Sequence, residues 1–176
     1  TGGSVLSLLA ADGVVFAGRK GAPMLRSQDG GRAWEPLGNS PTWVPRLRQI
    51  DRTVYAVGGD VWSTRDGGDT WSLVYRSGVG RAAKDIAIQG GTLVVGTYYG
   101  ALRRGEPGAD WTQSRSTGHF GEFTRVRDVL YAGPGGGTQS PTRSVFRSVD
   151  GGRAWAAAGL GSIGLDIAAL EAHGST

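Results

Sequence analysis

Repetition and turn residues predict an all-β fold for this chain of 176 residues. The tripeptide Asp-Gly-Gly occurs three times, and each copy has a Trp five residues after its Asp. Glycine accounts for 32 residues, well above the usual ~7%, and the absence of a Gly-X-Y period points to many tight turns. Short β-branched and aromatic runs lie between these turns, and none keeps an apolar period of 3.6 residues. We therefore expect antiparallel strands joined by short turns.

The three copies span residues 27–34, 64–71 and 148–155, and a degenerate fourth copy spans 104–111. In the fourth copy Glu106 takes the place of the Asp, whereas Trp111 keeps its position. Successive acidic positions are 37, 40 and 44 residues apart, a period that suits a unit of four short strands. Tandem units of this size are typical of β-propeller blades. The sequence therefore predicts a β-propeller of four-stranded antiparallel blades.

Each repeat contains four strand-like runs in the same order. The first strands are predicted at residues 5–10, 44–50, 84–89 and 122–127, and the second strands at 14–18, 53–57, 93–97 and 129–133. The third strands are predicted at 24–27, 61–64, 101–104 and 145–148, and the fourth begin near the tryptophans at 34, 71, 111 and 155. We expect the four blades at approximately 1–38, 39–77, 78–117 and 118–160.

Residues 161–176 are predicted to provide the first strand of a fifth blade or a closing strand. Residues 165–170 align with the run at 84–89, two repeats earlier. Because one strand cannot complete a sheet, further residues continue the ring, partner chains complete it, or the strand closes a four-bladed ring. Four blades lie at the lower limit of propeller size, so we expect part of a larger or oligomer-completed propeller.

The repeated turn has a physical explanation. An Asp side chain accepts hydrogen bonds from downstream backbone amides, and glycine adopts positive φ without steric cost. A Trp at the start of the fourth strand can pack between neighbouring sheets and donate its indole N–H to a carbonyl. We expect structural roles for Asp29, Gly31, Trp34, Asp66, Gly68, Trp71, Trp111, Asp150, Gly152 and Trp155.

These turns resemble the Asp-box, or bacterial neuraminidase repeat, with the pattern Ser/Thr-x-Asp-x-Gly-x-Thr-Trp/Phe. The resemblance covers almost the whole chain. Proteins with this repeat include sialidases, xyloglucanase-type glycoside hydrolases, sortilin-type receptors and photosystem II assembly factors. The resemblance implies a propeller whose Asp-boxes lie away from the catalytic or binding face, so Asp29, Asp66 and Asp150 are not expected to be catalytic. It also favours an extracytoplasmic location, periplasmic or secreted.

Composition excludes several kinds of chemistry. The chain has no cysteine, so it has no disulfide, thiolate metal site or Cys nucleophile. The two histidines, His119 and His173, are far apart, and we expect neither a metal site nor a cofactor. The glycine-rich run at 133–137 lacks the Lys-Ser/Thr of a phosphate loop. No apolar stretch approaches the roughly 18 residues of a membrane span, and residues 1–3 lack the features of a signal peptide.

The net charge of +4 comes from scattered arginines, which predicts a mild preference for acidic partners. Nucleic-acid binding is disfavoured, because the basic residues are not concentrated on one element.

The sequence offers little support for a hydrolase site. A sialidase needs three clustered arginines, a Tyr nucleophile paired with Glu, an acidic Asp and an Arg-Ile-Pro signature. The nearest match to that signature, Val-Pro-Arg at 44–46, does not fit it. A xyloglucanase needs two carboxylates across a cleft, but no spacing selects a pair from Asp60, Asp85, Glu122 and Asp166. These residues are better explained as turn formers or as charges on edge strands.

One end of the predicted propeller is a candidate binding face. The loops between second and third strands, and those between successive blades, lie opposite the Asp-box turns. They contain Arg19, Lys20, Trp43, Arg76, Arg81, Tyr98, Tyr99, His119, Phe120 and Arg143. Exposed aromatics and arginines suit an anionic or amphipathic partner. Local packing of the aromatics and chance accumulation of arginine explain the same composition equally well.

The function expected from these features is a non-catalytic binding or assembly scaffold for a protein or carbohydrate partner. A fragment of a glycoside hydrolase is the competing interpretation. Arginine clusters or paired carboxylates in further residues would favour the hydrolase, as would turnover of glycosides.

Overall fold

The computed structural model describes residues 3–79, 81–114, 119–134 and 145–159, and every regular element in these ranges is a β-strand. The chain divides into two compact units, Thr1–Gly78 and Val79–Thr176. Each unit contains two four-stranded antiparallel sheets, which we number as blades 1 to 4 in chain order. None of the described segments is a helix long and apolar enough to cross a membrane.

The first unit contains blades 1 and 2, in which consecutive strands are neighbours in the sheet. Blade 1 consists of β1 (Ser4–Ala11), β2 (Val14–Lys20), β3 (Leu25–Ser27) and β4 (Glu35–Pro36). Blade 2 consists of β5 (Arg46–Ile50), β6 (Thr53–Gly58), β7 (Asp60–Thr64) and β8 (Ser72–Tyr75).

The second unit repeats this arrangement. Blade 3 consists of β9 (Asp85–Gln89), β10 (Thr92–Thr97), β11 (Gly100–Arg104) and β12 (Thr112–Gln113). Blade 4 consists of β13 (Glu122–Val126), β14 (Val129–Gly133), β15 (Phe146–Ser148) and β16 (Ala156–Ala157). The all-β prediction and the four-stranded antiparallel blades are confirmed. The predicted strand within 161–176 lies outside the described residues.

Each unit has an apolar core to which both of its blades contribute. In the first unit Phe16 and Met24 of blade 1 are buried together with Leu47 and Ala56 of blade 2, and Trp71 packs against them. In the second unit the corresponding cluster contains Ala87, Val94, Ala101, Phe120, Phe123, Leu130 and Ala132. Burying a large apolar side chain contributes about 1.5–3 kcal/mol, so these clusters hold the blades of a unit together.

The turns between third and fourth strands, which we call the acidic turns, are closed by side chains. In blade 1 the Asp29 carboxylate accepts from the amides of Arg32 and Ala33, both at 2.9 Å. The Ser27 hydroxyl donates to Asp29 at 2.8 Å and accepts from the Gly31 amide at 2.8 Å. Blade 4 repeats this pattern around Ser148 and Asp150, and blade 2 repeats it around Thr64 and Asp66.

The tryptophans of these turns differ in their contacts. Trp34 donates its indole N–H to Gly31 O at 3.0 Å, and Trp155 donates to Gly152 O at 3.1 Å. Trp71 packs edge-on against Phe16 of blade 1, and its buried Nε1 has no hydrogen-bond partner among the described residues. Trp71 and Trp155 pack against aromatic rings of the core, whereas Trp34 is partly exposed.

Blade 3 closes its degenerate turn differently. The Ala109 amide donates to Glu106 O at 3.2 Å, so the backbone completes the turn. The Arg104 guanidinium lies 4.7 Å from the centre of the Trp111 ring, a cation–π contact. Arg104 occupies the position of the Ser or Thr that supports the Asp in the other three turns.

One register position distinguishes blade 1. Leu8, Leu47 and Phe123 occupy equivalent places on first strands, each paired with an alanine of the second strand. Leu47 is 8% exposed and Phe123 is 3% exposed, because each belongs to the core shared with the other blade of its unit. Leu8 is 65% exposed. Within the first unit, the corresponding face of blade 1 is open.

Candidate functional site

A two-residue turn at the loop end of blade 3 projects two tyrosines. The Thr97 hydroxyl fixes this turn by donating to Gly100 O at 2.8 Å and accepting from the Tyr99 amide at 3.1 Å. Tyr98 is 48% exposed and Tyr99 is 66% exposed. The turn therefore displays adjacent aromatic rings on a rigid hairpin.

Basic side chains surround the Tyr98 ring. The Lys84 ammonium lies 4.0 Å from the ring centre, within the range of a cation–π contact. His119 meets the same ring edge-on, with the ring centres 5.0 Å apart. Lys84 lies just before β9 and His119 lies in the loop before β13, so loops from blades 3 and 4 meet at Tyr98.

A second set of contacts connects Tyr99 to the chain before blade 3. Arg81 Nη2 donates to Gln113 Oε1 at 3.3 Å, and Gln113 Nε2 donates to Tyr99 O at 3.5 Å. We call the combined set the Tyr98 cluster; it consists of Arg81, Lys84, Tyr98, Tyr99, Gln113 and His119. Its two permanently charged side chains, those of Arg81 and Lys84, are both cationic, so the cluster suits an acidic or π-rich partner.

Close backbone packing fixes the base of the cluster. The Phe120 amide donates to Thr97 O at 3.1 Å, and the Lys84 amide donates to Gly96 O at 2.9 Å. A Cβ atom on Gly96 would lie 2.1 Å from Phe120 O, so only glycine allows this loop to approach β10. The loop that carries His119 is therefore held against blade 3.

The loop end of the first unit has a smaller aromatic and basic patch. Lys20 and Trp43 form an isolated β-bridge, and Trp43 is 47% exposed. Arg76 is also exposed, directly after β8. The neighbouring Ser77 donates both its amide and its hydroxyl to Asp60. Arg143, the remaining predicted binding residue, lies outside the described residues.

Two residues predicted for the binding face are buried. Phe120 is fully buried, and its ring centre lies 4.8 Å from that of Trp155. Arg19 is also buried, and it donates through Nη1 to Pro23 O at 3.2 Å. The expectation that both side chains are exposed was wrong. The loop before β13 turns the Phe120 ring inward, and Arg19 lies within β2 rather than in a loop.

A repeat comparison could have corrected the error at Phe120. The Val44 amide donates to Arg19 O, just as the Phe120 amide donates to the equivalent Thr97 O. Val44 and Phe120 therefore occupy the same place, and both are fully buried. An apolar residue at this place in each repeat is the signal for a core position.

The acidic turns are poorly suited to catalysis. Hydrogen bonds from the Ala33 amide and the Ser27 hydroxyl lower the pKa of Asp29. Hydrogen bonds from Thr64 and Thr70 lower the pKa of Asp66. A carboxyl that is ionised well below neutral pH cannot act as the general acid that glycoside cleavage requires.

Asp150 behaves in the same way. Burial, the largest single influence on this carboxyl, raises its pKa. The hydrogen bonds from Ala154, Ser148 and Arg153, together with the Arg153 charge, outweigh it, and the pKa of Asp150 is lowered. Among the described residues, no three His, Asp or Glu side chains are grouped so that they could hold a metal ion.

A cleft of about 280 Å³ lies beside the acidic turn of blade 1. Its charged groups are engaged, because Asp29 accepts from turn amides and Arg26 is bonded to Glu35.

Comparison with known proteins finds structures with a similar fold but no close relative in sequence. No protein-family model matches the chain, and no curated protein matches it. Among solved structures, the GH74 xyloglucanase from Xanthomonas campestris has a TM-score of 0.66 and 16% identity over 88% of this chain and 30% of its own. YCF48 from Cyanidioschyzon merolae has a TM-score of 0.61 and 15% identity over 88% of this chain and 56% of its own.

YCF48 bound to D1 peptide has a TM-score of 0.59 and 13% identity, over 88% of this chain and 53% of its own. The chain thus spans little more than half the length of the YCF48 chains and under a third of the xyloglucanase. At these identities the likeness concerns the fold alone. With its four sheets of four antiparallel strands, the chain belongs among the β-propellers.

Proposed function

We propose that the chain is a non-catalytic binding or assembly scaffold and that the Tyr98 cluster contacts its partner. The observation that carries this proposal is the pair of exposed rings at Tyr98 and Tyr99, with Lys84 and Arg81 beside them. Tyrosine and arginine are enriched among residues that dominate protein–protein binding energy. The rings stand on a hairpin fixed by Thr97, so binding would order few additional groups.

A protein partner with acidic side chains fits the cluster best, and a carbohydrate with carboxylate or sulfate groups is the second candidate. Both would use the aromatic rings for stacking and the cations for charge. A peptide is favoured because the rings project from a turn, whereas sugars are usually held in concave sites. YCF48, a propeller of similar fold, has been solved with a bound peptide, which supports a peptide-binding role.

The glycoside hydrolase alternative rests on the likeness to GH74 structures. Three of the candidate carboxylates have other roles in the described residues. Asp60 accepts from the amide and hydroxyl of Ser77, and buried Asp85 accepts from the Phe123 amide at 2.8 Å. Glu122 is buried and has a partner of its own, and Asp166 lies outside the described residues. These bonds favour structural roles for the carboxylates.

Binding and turnover assays separate the two functions. The full chain is applied to arrays of synthetic peptides with graded Asp and Glu content and to arrays of neutral and acidic glycans. The scaffold proposal expects binding that Arg81→Ala weakens at least fivefold and that Arg32→Ala leaves unchanged. Arg32 is the matched control because it is also exposed but lies on an acidic turn. Turnover of fluorogenic glycosides would overturn the scaffold proposal.

We also propose that another propeller blade covers the open face around Leu8. Equivalent Leu47 and Phe123 pack against a blade, so the occupant of the Leu8 face is expected to present a similar apolar second strand. The blade comes either from a second copy of the chain or from further residues of the same protein. Light scattering distinguishes these sources: a second copy predicts a dimer or larger oligomer that Leu8→Glu dissociates, and a stable monomer excludes it.

A further inference from the structure

In the first unit, two carboxylates form ion pairs with Arg26. Arg26 on β3 donates through Nε to Glu35 on β4 at 2.8 Å. Its Nη1 donates to Asp69 at 2.6 Å and to Gly67 O at 2.8 Å, both in the acidic turn of blade 2. The guanidinium therefore joins the third strand of one blade to the acidic turn of the next.

The second unit has the same backbone frame. Arg103 on β11 pairs with Thr112 on β12, just as Arg26 pairs with Glu35. The acidic turn of blade 4 also docks on blade 3 in the same way. A Cβ on Gly152 would lie 3.0 Å from Val94, and a Cβ on the equivalent Gly68 would lie 3.0 Å from Phe16, which occupies the position of Val94 in blade 1.

The two carboxylates that contact Arg26 have no acidic counterparts at the equivalent positions of the second unit. Thr112 stands where Glu35 stands, and Arg153, three residues after the turn Asp, stands where Asp69 stands. Arg26, Glu35 and Asp69 together have a formal charge of −1. The equivalent set of Arg103, Thr112 and Arg153 has a formal charge of +2. The frame is retained, but its compensating charges are missing.

One nitrogen of the Arg103 side chain lacks a hydrogen-bond partner within the described part of the chain. Its Nε is buried and has no hydrogen-bond partner among the described residues. Asp150 is the acidic neighbour of Arg153, but its carboxylate already accepts from Ser148 and from the amides of Arg153 and Ala154. Arg104 is directed to the Trp111 ring. Buried polar groups in folded proteins are nearly always bonded, so the Nε of Arg103 lacks an acceptor in the described ranges.

We propose that Arg103 and Arg153 form an oxyanion site between blades 3 and 4, at the acidic-turn end. The ligand group is a phosphate, sulfate or carboxylate, because the guanidinium fork matches the spacing of two oxygens on one atom. The anion takes the place that Glu35 and Asp69 occupy around Arg26. The site lies at the opposite end of the blades from the Tyr98 cluster and is independent of the proposed function.

The test uses inorganic phosphate and sulfate as probes, with chloride at equal ionic strength as the reference. Anion binding to the folded state raises the melting temperature, and titration calorimetry gives the affinity directly. The wild-type chain is expected to melt higher in phosphate and sulfate than in chloride. Arg103→Gln is expected to weaken phosphate binding at least tenfold and to remove the difference in melting temperature.

Two double variants exchange the charges between the units. Thr112→Glu with Arg153→Asp gives Arg103 the two carboxylates that Arg26 has in the first unit. This variant is expected to raise the melting temperature in chloride and to abolish the response to phosphate. Glu35→Thr with Asp69→Arg gives the first unit the charges of the second, and it is expected to create a second phosphate site. Circular dichroism verifies that each variant is folded.

Equal melting temperatures in phosphate and chloride for the wild-type chain would overturn the proposal, as would unchanged phosphate affinity in Arg103→Gln. Loss of phosphate binding in Arg81→Ala but not in Arg103→Gln would assign the anion to the Tyr98 cluster instead. If Arg103→Gln does not fold, the Thr112→Glu and Arg153→Asp variant decides the question, because a retained response to phosphate contradicts the site.

A phosphate or sulfate group carried by a partner molecule would bind Arg103 and Arg153 in the same way as the free ion. Competition distinguishes this source from the free ion: a phosphorylated or sulfated ligand that displaces inorganic phosphate from wild type, but does not bind Arg103→Gln, identifies a partner-borne group. Binding of that ligand to Arg103→Gln with wild-type affinity contradicts it.

Discussion

Gln89 holds the acidic turn of blade 4 against blade 3 by bonding to Gly151. Gln89 Oε1 accepts from the Gly151 amide at 3.0 Å, while Nε2 donates to Ser148 O at 3.3 Å and to Asp128 O. One buried amide therefore satisfies backbone groups in two separate turns of the neighbouring blade. Such a clasp is more specific in direction than apolar packing, because each bond requires a particular geometry.

Replacement of Gln89 by Leu tests this clasp. The substitution keeps a similar volume but removes the bonds to the Gly151 amide and to the Ser148 and Asp128 carbonyls, and each buried group left unsatisfied costs about 1–3 kcal/mol. We expect the free energy of unfolding to fall by about 2–3 kcal/mol in urea titrations. Gln49→Leu is the matched control, because the Gln49 side chain makes its hydrogen bonds at the exposed surface, and it should change stability by under about 0.5 kcal/mol. Equal losses in the two variants would contradict the clasp.

The second glycine of the acidic turn serves both conformation and packing. Gly68 has a φ of 93°, and a Cβ there would lie 3.0 Å from Phe16 and Leu37 of blade 1. Gly31 occupies the same place in blade 1 with a φ of 90°, but an added Cβ would have only Trp34 nearby, at 3.8 Å. A comparison of alanine substitutions at Gly68 and Gly31 therefore separates the free-energy cost of a positive φ from the cost of overpacking.

We expect Gly68→Ala to destabilise the chain by about 1–2 kcal/mol more than Gly31→Ala in urea titrations, since overpacking a well-filled interface costs about 1–3 kcal/mol. Equal effects would show that the backbone conformation alone requires glycine here, and that blade 2 does not press on Phe16.

Acid should weaken the acidic turns. The pKa values of Asp29, Asp66 and Asp150 are lowered on folding, so these carboxylates bind protons less readily in the folded chain than in the unfolded one. Their stabilisation is therefore complete above the unfolded pKa near 4 and is lost as the pH falls toward the lower folded values. We expect the melting temperature to decline below about pH 4.

Asp66→Asn should flatten this decline, because one of the three titrating groups is removed. Asp110→Asn serves as the control, because the Asp110 carboxylate is exposed and lies in the degenerate turn of blade 3. Melting curves between pH 2 and pH 7 measure the effect. A wild-type melting temperature that is constant down to pH 2 would contradict the assigned role of these carboxylates.

The Tyr98 ring, rather than its hydroxyl, is expected to support binding. Phe at this position keeps the contacts with Lys84 and His119, whereas Leu removes the π face that the ammonium faces. A cation–π contact at an exposed site contributes about 0.5–1 kcal/mol. Affinity for the acidic peptide identified on the arrays should therefore change less than twofold in Tyr98→Phe and fall about two- to fivefold in Tyr98→Leu. The reverse order would assign binding to the phenolic oxygen.

The strands and acidic turns could be predicted because both are local. Alternating β-branched runs and the Asp-Gly-Gly turn act over a few residues, and the four predicted sheets are all present. The fourth strands begin one residue after their tryptophans, at Glu35, Ser72, Thr112 and Ala156.

The site was less accessible to sequence reasoning because it depends on contacts between separate hairpins. Tyr98, Tyr99, Arg81 and His119 were predicted for the loop face and come together, but Lys84 was assigned only to a strand. Gln113 was not singled out, although it connects Arg81 to Tyr99. Burial of Phe120 and Gln89 follows from docking between blades, which a single run of sequence does not display.

The central claim is that the exposed rings at the loop end of blade 3 form the contact surface, and Tyr99 tests it most directly. Its side chain is largely exposed, so Tyr99→Ala should leave the melting temperature within a degree or so of wild type. Isothermal titration with the acidic peptide selected on the arrays should show at least tenfold weaker binding for Tyr99→Ala and unchanged binding for Arg32→Ala. Wild-type affinity in Tyr99→Ala, or an equal loss in both variants, would contradict the account.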